Sequence, residues 1–351
     1  GTTTATGDYR WLGFETSAAD LNFVDGWARW NYAGYERKAG NDSGGGYDEY
    51  HGIVTTMADV GEDRGCGRAM WEYESELDRY GTPMALMLLP FWTDGCIGSM
   101  EGLYFEASAT TPYHFINQSE LSAAPSRAQR DLPYPEFDID QGIEHLQLLG
   151  VRYYLAFSET ALAAAREHED LTEIADSGPW HVFEVADADL VEALPYEPAV
   201  LDGVGDGGDE WLEPSSEWYV SEDGRDVLLA SSGPEGWGRI QAGDTAPRVD
   251  TEPVEVSSIE ASDDEISFEV DQVGQPVLVK ASYFPNWSAT GADGPYRVTP
   301  NLMVVVPTDE RVELRYGNTG VDLVAWALTA LGVVALVVVA RRPDPVMPDP
   351  R

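Results

Sequence analysis

The chain has 351 residues, of which 43% are hydrophobic and 11 are tryptophan, a composition typical of folded domains rather than of disordered segments. Asp and Glu number 62 against 21 Lys and Arg, which gives a net charge of −41. Such a surface repels nucleic-acid backbones and anionic lipid headgroups. We therefore expect no nucleic-acid partner and assign the charge to solubility.

The N-terminal part, residues 1–198, is predicted to be an aromatic-rich extracytoplasmic domain of α/β type. Aromatic residues concentrate in residues 25–38, a flexible Gly-rich loop follows in residues 41–50, and residues 51–60 have the pattern of a short helix. The run PMALMLLPFW in residues 83–92 is apolar throughout. Because it is too short to cross a bilayer, we interpret it as a strand or a short helix.

Helix and strand signals alternate in residues 138–186. In DIDQGIEHLQLLG, apolar side chains recur at helical spacing, and Gly150 follows as a helix stop. The apolar segment VRYYLAF then predicts a buried strand, and Ser158 has the position of an N-cap for the next helix. LTEIAD and WHVFEV, joined by Ser-Gly-Pro, are typical of a β-hairpin. This order indicates an α/β arrangement.

Residues 199–252 are predicted to be an acidic connecting region, rich in Gly and Pro, with short strands. The segment LDGVGDGGDEW places Asp202, Asp206 and Asp209 close together, as calcium loops do. Their spacing departs from that of an EF-hand. A solvated acidic loop is the simpler interpretation, so we predict no metal site and no cofactor.

From residue 253 the hydrophobic pattern changes to the period of two that is typical of β-strands. Trp287, in the segment YFPNW, is predicted to fill the core that these strands enclose. Five short strands separated by turn residues predict a small antiparallel β-sandwich over residues 253–318: VEVSSIEA, EISFEVD, PVLVKASY, LMVVVPT and VELRYG. The predicted fold class is therefore α+β, with an α/β-type N-terminal domain followed by this sandwich.

The segment 321–340 is predicted to be one C-terminal transmembrane helix. Residues 323–340 carry no charged side chain and would rise about 27 Å as a helix, close to the hydrocarbon thickness of a bilayer. Arg341 and Arg342 follow, and basic residues favour the cytoplasmic side. Residues 341–351 then form a cytoplasmic tail, and the bulk of the chain lies outside the cell membrane. A buried core helix is the alternative.

An extracytoplasmic protein needs export, yet the start GTTTATGDYRW has neither the basic region nor the apolar stretch of a signal peptide. Either a leader has been removed, or the sequence is the back end of a longer membrane protein. The two interpretations predict different functions, because the second assigns this chain to a polytopic protein.

The two cysteines, Cys66 and Cys96, lie beside glycines, which favours a close approach of the two backbones. Outside the membrane a disulfide between them would persist, and two separate buried thiols are the alternative. Such a bridge would gather aromatic and ionisable side chains, and rings and carboxylates are the groups that bind sugars. The members of this predicted glycan surface are Arg68, Trp71, Glu72, Trp92, Asp94, Glu101, Glu106 and His114.

Other interpretations of this surface stay open. Paired carboxylates also carry out glycoside hydrolysis, but among 62 acidic residues such pairs arise by chance. In a purely structural role, Trp71 and Trp92 belong to the core, Arg68 pairs with Glu72, and His114 caps a loop. The sequence motifs of serine hydrolases, zinc proteases, P-loop proteins and dinucleotide-binding folds are absent, so we assign no catalytic residue.

The stretch KASYFPNWSATGADGPYRVTPNLMVVVPTDERVELRY (280–316) resembles the extracytoplasmic C-terminal domain of YfhO-like polytopic membrane proteins. It is similar also to the related proteins labelled 6-pyruvoyl-tetrahydropterin synthase-related. In that family a similar aromatic turn and a final strand precede a terminal transmembrane helix. LQLLGVRYYLAF (146–157) and PWHVFEV look similar to two further elements of the family. These segments lie within residues 146–316, which make up roughly half of the chain.

The resemblance implies a place in the GT-C class, whose members look like glycosyltransferases that use polyprenol-phosphate-linked sugars. Their catalytic acidic residue lies in N-terminal parts that match nothing in this sequence. We therefore expect the chain to assist sugar transfer to cell-envelope glycans by binding the acceptor or glycan, with the catalytic residues outside it. The alternative is a single-span surface protein that binds polysaccharide or another envelope protein without catalysis. In both cases residues 321–340 contact the lipid bilayer.

Overall fold

The computed structural model describes most of the chain from residue 46 to residue 341, together with the backbone of three short N-terminal strands. These strands form an antiparallel sheet in the order β1-β2-β3: β1 (Thr2–Thr3), β2 (Tyr9–Trp11) and β3 (Phe14–Thr16). The predicted aromatic segment 25–38 and the first part of the predicted loop 41–50 lie outside the described residues. The described ranges are 46–80, 82–100, 109–204, 208–221 and 224–341.

A five-stranded sheet forms the centre of the first half of the chain. Its strand order is β5-β4-β6-β8-β7. Strands β5, β4 and β6 are parallel to one another, whereas β8 is antiparallel to both of its neighbours, β6 and β7. The apolar segment at 151–157 is its central strand, and the segments flanking Gly178 form the hairpin, as predicted. The strands are β4 (Gly67–Trp71), β5 (Ile97–Ser99), β6 (Val151–Ala156), β7 (Leu171–Ser177) and β8 (Trp180–Val185).

Helices cover both faces of this sheet, because alternate strand residues point in opposite directions. On one face, Trp71, Tyr153 and Trp180 pack with the apolar side of helix α1. On the other face, Tyr154 and Phe183 pack with helices α3, α4 and α5. The helices are α1 (Gly46–Arg64), α2 (Leu89–Trp92), α3 (Thr111–Leu121), α4 (Ile139–Leu148) and α5 (Glu159–Glu167).

Local sequence signals set the limits of α4 and α5. Asp138 caps α4 by accepting a hydrogen bond from the backbone of Gln141, and Ser158 caps α5 in the same way from Ala161. Gly150 follows α4 with a φ of 62°, a left-handed conformation that glycine adopts without strain. These features confirm the predicted helix–strand–helix order.

The second half of the chain contains two further sheets. The larger has seven strands in the order β12-β10-β11-β17-β18-β15-β9, and the smaller has four in the order β13-β14-β19-β16. The seven are β9 (Val191–Ala193), β10 (Ala199–Leu201), β11 (Leu229–Ala230), β12 (Arg239–Ile240), β15 (Val277–Val279), β17 (Ala292–Val298) and β18 (Leu302–Pro307). The four are β13 (Val256–Ala261), β14 (Glu265–Val270), β16 (Trp287–Thr290) and β19 (Arg311–Tyr316).

The predicted strands within residues 253–318 are all present, but their sheet extends beyond that range. Strand β15 pairs with β9, and β17 pairs with β11, so strands from residues 191–240 complete the larger sheet. The two sheets share a hydrophobic cluster centred on Phe268. Trp287 is partly buried at the edge of this cluster, so Phe268, rather than Trp287, fills the core. The fold is thus α+β with several sheets.

Helix α6 (Gly208–Val220) is held against α3 and α4 by a buried polar network. The imidazole Nδ1 of His145 lies 2.7 Å from a carboxylate oxygen of Glu120, and both side chains are fully buried. Nε2 of His145 lies 2.8 Å from the carbonyl oxygen of Tyr219, and the rings of His145 and Tyr219 stack at 3.7 Å. Asn117 donates hydrogen bonds to Glu120 and to the Gly142 carbonyl. Glu120 and His145 together therefore connect the three helices.

Helix α7 (Gly320–Ala340) ends the described chain, and none of its residues is buried. Thr319 and Asp322 form a capping box at its N-terminus. Within the described residues, α7 is the one helix that is long and apolar enough to cross a membrane. It coincides with the predicted transmembrane segment 321–340. The alternative of a buried core helix is wrong, because no residue of α7 is buried.

We predict that Glu120→Ala lowers the free energy of unfolding by about 3 to 5 kcal/mol, because it leaves the buried Nδ1 of His145 without its carboxylate partner. The matched control is Glu136→Ala, which removes a 91% exposed carboxylate that pairs with Arg127 and is expected to change stability by about 0 to 1 kcal/mol. Denaturant unfolding of the full chain in detergent, followed by tryptophan fluorescence, measures both. Equal losses in the two variants would contradict a structural role for the network.

Candidate functional site

A cleft of about 1250 Å³ lies where the five-stranded sheet meets the two sheets of the second half. Its lining comes from the start of β4 and β5, from the segment that follows β8, from strands β13, β14 and β16, and from the residues after β15. The side chains used below all belong to its lining: Cys66, Arg68, Asp94, Cys96, Arg152, Glu184, Asp187, Asp189, Asp263, Lys280 and Trp287.

The predicted disulfide between Cys66 and Cys96 is formed, with Cα atoms 4.6 Å apart. Cys66 immediately precedes β4 and Cys96 immediately precedes β5, and these two strands are parallel neighbours in register from Gly67 and Ile97. The bridge therefore joins the starts of two adjacent strands. It fixes the part of the lining that contains Arg68 and Asp94.

Arg68 projects from β4 between two glycines. A Cβ atom on Gly98 would lie 3.0 Å from Cγ of Arg68, and one on Gly150 would lie 3.1 Å from a terminal nitrogen of its guanidinium. The guanidinium donates a hydrogen bond to the backbone carbonyl of Lys280. A larger residue at either glycine would thus crowd the arginine and require its side chain to shift.

The charge on Arg68 is poorly compensated. The residue is partly exposed, and desolvation of its guanidinium lowers the pKa of Arg68 to about 10. Within the part of the chain that the structure describes, no carboxylate forms an ion pair with it. In a chain with 62 acidic and 21 basic residues, an arginine without a carboxylate partner that lines a cleft indicates a binding group.

Lys280 also belongs to the lining of the cleft and is buried. Its ammonium group donates a hydrogen bond to the carbonyl of Gln147 at 2.8 Å and pairs with Glu192 at 2.8 Å. The first contact reaches the end of α4 and the second reaches β9. Lys280 thus connects the two halves of the chain, and its backbone carbonyl accepts the hydrogen bond from the guanidinium of Arg68.

Carboxylates surround the opening of the cleft. Asp94, Asp187, Asp189 and Asp263 are all exposed, whereas Glu184 is held by ion pairs with Arg64 and Arg152. Trp287 belongs to the lining as well. The lining therefore combines hydrogen-bond acceptors, a guanidinium donor and one aromatic face, which are the groups that bind a polyhydroxylated ligand.

The structure places the predicted glycan residues in several different environments. Trp71 is buried in the core beneath α1. Glu72 is also buried and accepts hydrogen bonds from the backbone of Phe157 and from Ser158 at the start of α5. His114 is buried within α3. Glu101 and Glu106 lie outside the described residues.

Of the predicted residues that the structure describes, only Arg68 and Asp94 share the lining of the cleft. Trp92 is exposed two residues before Asp94, donates its indole N–H to the hydroxyl of Tyr50, and lies outside the lining. Arg68 contacts Lys280 rather than Glu72. The predicted disulfide is thus confirmed. Of the predicted side chains near it, some face the core and others face the surface.

Sequence reasoning did not assign Lys280 or Trp287 to the site. A signal existed for Lys280, which is one of only two lysines and directly follows the apolar run PVLV. Trp287 was predicted to lie in the core. The sequence pattern at the end of a strand does not show whether a large side chain is fully or only partly buried. The other aspartates at the opening of the cleft, Asp187, Asp189 and Asp263, carry no signal among 62 acidic residues.

No known protein family, no characterised protein sequence and no solved structure matches this chain. No cluster of three or more His, Cys, Asp or Glu side chains that could hold a metal ion is found in the described residues. Asp202, from the predicted acidic loop, pairs with Arg239 at 3.3 Å. The chemistry of the cleft therefore has to be inferred from its own lining.

We predict that reduction of the Cys66–Cys96 bridge lowers the free energy of unfolding by about 2 to 4 kcal/mol, because the bridge closes a loop in the unfolded chain. Guanidinium unfolding of the full chain in detergent, with and without a reducing agent, measures the loss. The matched control is the double variant Cys66→Ser with Cys96→Ser, whose stability should not respond to the reductant. An unchanged unfolding midpoint on reducing the parent protein would contradict the bridge.

Proposed function

We propose that this chain is a membrane-anchored extracytoplasmic module and that its cleft binds a carbohydrate of the cell envelope. The observation that carries this proposal is helix α7, which has no charged residue after Asp322 and none of whose residues is buried. Exposing such a helix to water is unfavourable, at about 25 cal/mol for each Å² of apolar surface. A bilayer removes that cost, since its hydrocarbon region matches the length of the helix.

The sidedness of the module is inferred from charge and cysteine chemistry. Arg341 and Arg342 follow α7 directly, and basic residues are retained on the cytoplasmic side. The folded part then lies outside, where a disulfide such as Cys66–Cys96 persists. The strongly acidic surface is compatible with this side, because the anionic cytoplasmic leaflet would repel it.

The position of the cleft supports a ligand from the membrane or envelope. Trp287 lines the cleft and contacts Tyr316 with ring centroids 5.4 Å apart. Tyr316 ends β19, and Gly320 begins α7. The short chain between these two residues spans at most about 14 Å. The two facing sheets, which we interpret as a β-sandwich, therefore place the Trp287 side of the cleft near the membrane end.

The resemblance to YfhO-like proteins gives this proposal its enzymatic form. On that basis the chain assists transfer of sugars from polyprenol-linked donors, and the residues that perform the chemistry belong to other parts of a GT-C-like protein. The order of β16, β17, β18, β19 and α7 supports this form, because it matches the order expected from the resemblance. The alternative is a single-span protein that binds polysaccharide or an envelope protein without catalysis.

Membrane anchoring is tested with the double variant Leu331→Arg, Val334→Arg. We expect the variant to lose flotation with phosphatidylcholine vesicles after an alkaline wash, because each central arginine costs about 2.5 to 3.5 kcal/mol in a spanning helix. The matched control, Val273→Arg, changes an exposed valine outside α7 and should float like the parent. Parent protein that remains at the bottom of the gradient would overturn the anchoring proposal.

Carbohydrate binding is tested with a panel of neutral, uronic and phosphorylated oligosaccharides on the full chain in detergent. We expect at least one probe to bind, and Arg68→Gln to weaken it about tenfold or more, because hydrogen bonds to charged groups contribute about 1.5 to 3 kcal/mol. The matched control is Arg166→Gln, which removes an arginine that pairs with Glu173 outside the cleft. Equal affinities in the two variants would place the binding elsewhere, and no binding by the parent would remove the carbohydrate part of the proposal.

A further inference from the structure

An exposed aromatic pair lies next to the first turn of α7. Phe284, in the turn before β16, is 48% exposed, and Tyr316, the last residue of β19, is 42% exposed. Their ring centroids lie 6.1 Å apart. Because β16 and β19 are antiparallel with Trp287 opposite Tyr316, both residues are at the same end of the four-stranded sheet.

This end of the sheet is tied directly to α7. The side-chain amide of Asn286 donates hydrogen bonds to the carbonyl of Gly317 at 2.7 Å and to the carboxylate of Asp322 at 3.0 Å. The same carboxylate accepts the backbone N–H of Thr319 at 2.7 Å. The turn that carries Phe284 is therefore fixed to the first turn of the helix and cannot swing away from it freely.

The spacing places the aromatic pair in the headgroup layer if α7 spans a bilayer. The uncharged part of α7 begins at Leu323, directly after the clamped Asp322. The headgroup layer extends about 5 to 8 Å beyond the hydrocarbon on each side. Aromatic side chains with one polar end, such as Tyr316, are favoured in this layer.

The charged neighbours of the pair restrict the kind of lipid. Asp263 and Asp264 lie in the adjacent turn between β13 and β14, and the backbone carbonyl of Asp264 accepts the N–H of Tyr316. Arg315 is engaged by Glu265 at 2.9 Å and by Glu313. This end of the sheet therefore carries an excess of carboxylates. Such a surface is compatible with zwitterionic headgroups and repels anionic ones.

We propose that Phe284 and Tyr316 insert into the headgroup layer of a zwitterionic bilayer and, with the Asn286–Asp322 clamp, hold the folded part at a fixed height above the membrane. This inference rests on the proposed membrane anchoring. The contact orients the domain, and it directs the Trp287 side of the cleft towards the membrane surface. A ligand carried by a lipid or by a membrane neighbour would then reach the cleft without leaving the interface.

The test uses nitroxide labels on single introduced cysteines in the full chain, reconstituted in phosphatidylcholine vesicles. The native cysteines are joined to each other and do not react. Pro285→Cys reports on the aromatic turn without removing either ring, and Leu331→Cys reports on the middle of α7. Val273→Cys is the matched control, because Val273 is exposed beyond the opposite end of β14 from Tyr316. Electron paramagnetic resonance with oxygen and a nickel chelate as collision partners measures the depth of each label.

We expect hydrocarbon depth at 331, headgroup depth at 285 and full water exposure at 273. Adding Phe284→Ser and Tyr316→Ser should shift the 285 label to the water-exposed value and leave the 331 label unchanged. A 285 label as exposed as the 273 label, with 331 immersed, overturns the contact and leaves the anchoring intact. A 285 label that stays at headgroup depth in the serine variant also overturns it, since the clamp alone would then set the height. A water-exposed 331 label refutes the anchoring itself.

Discussion

Burial of strands β15 and β18 on both faces is the constraint that joins this protein into one structure. Leu278 and Val304 point into the cluster formed with the helices, whereas Val279 and Val305 point into the cluster shared with the smaller sheet. A strand buried on both sides needs apolar residues at every position, which the runs VLV and LMVVVP supply. The seven-stranded sheet is therefore the middle layer between the helical half and the four-stranded sheet. The cleft lies at the margin of this junction, where Lys280 directly follows β15 and replaces apolar packing with a buried polar contact.

The same junction connects the cleft to the proposed membrane anchor. Strand β19 runs from the shared core to Tyr316, and α7 begins after a short link that Asn286 clamps. Since Trp287 touches both the cleft and Tyr316, the lining of the site and the start of the anchor belong to one end of one sheet. We infer that binding in the cleft and contact with the membrane surface are geometrically linked. This link favours a ligand that is itself held at the membrane or in the envelope next to it.

Much of the secondary structure could be predicted from the sequence, because it depends on local signals. The caps at Asp138 and Ser158, the turn at Gly178 and the apolar run of α7 each act within a few residues. The layering could not be predicted from the period of two, since β15 and β18 are apolar at every position. The strands that complete their sheet, β9 beside β15 and β11 beside β17, also come from distant parts of the chain. Only part of the candidate site could be predicted from the sequence. The predicted disulfide led to Arg68 and Asp94. Trp71 and Glu72 are buried instead, because the pairing of the five-stranded sheet decides which side chains in and just after β4 face the core.

The central claim is that the folded part is anchored outside the membrane by α7, and protease treatment of intact cells that make the native protein tests it most directly. The account predicts that an external protease degrades the part before residue 320 and leaves a membrane-bound fragment that contains residues 320–351. Detergent should then expose this fragment to further cleavage beyond Arg341. Full protection of the folded part in intact cells, with cleavage only after the membrane is permeabilised, would contradict the account. Release of the undegraded chain from the membrane fraction by a salt wash would contradict it as well.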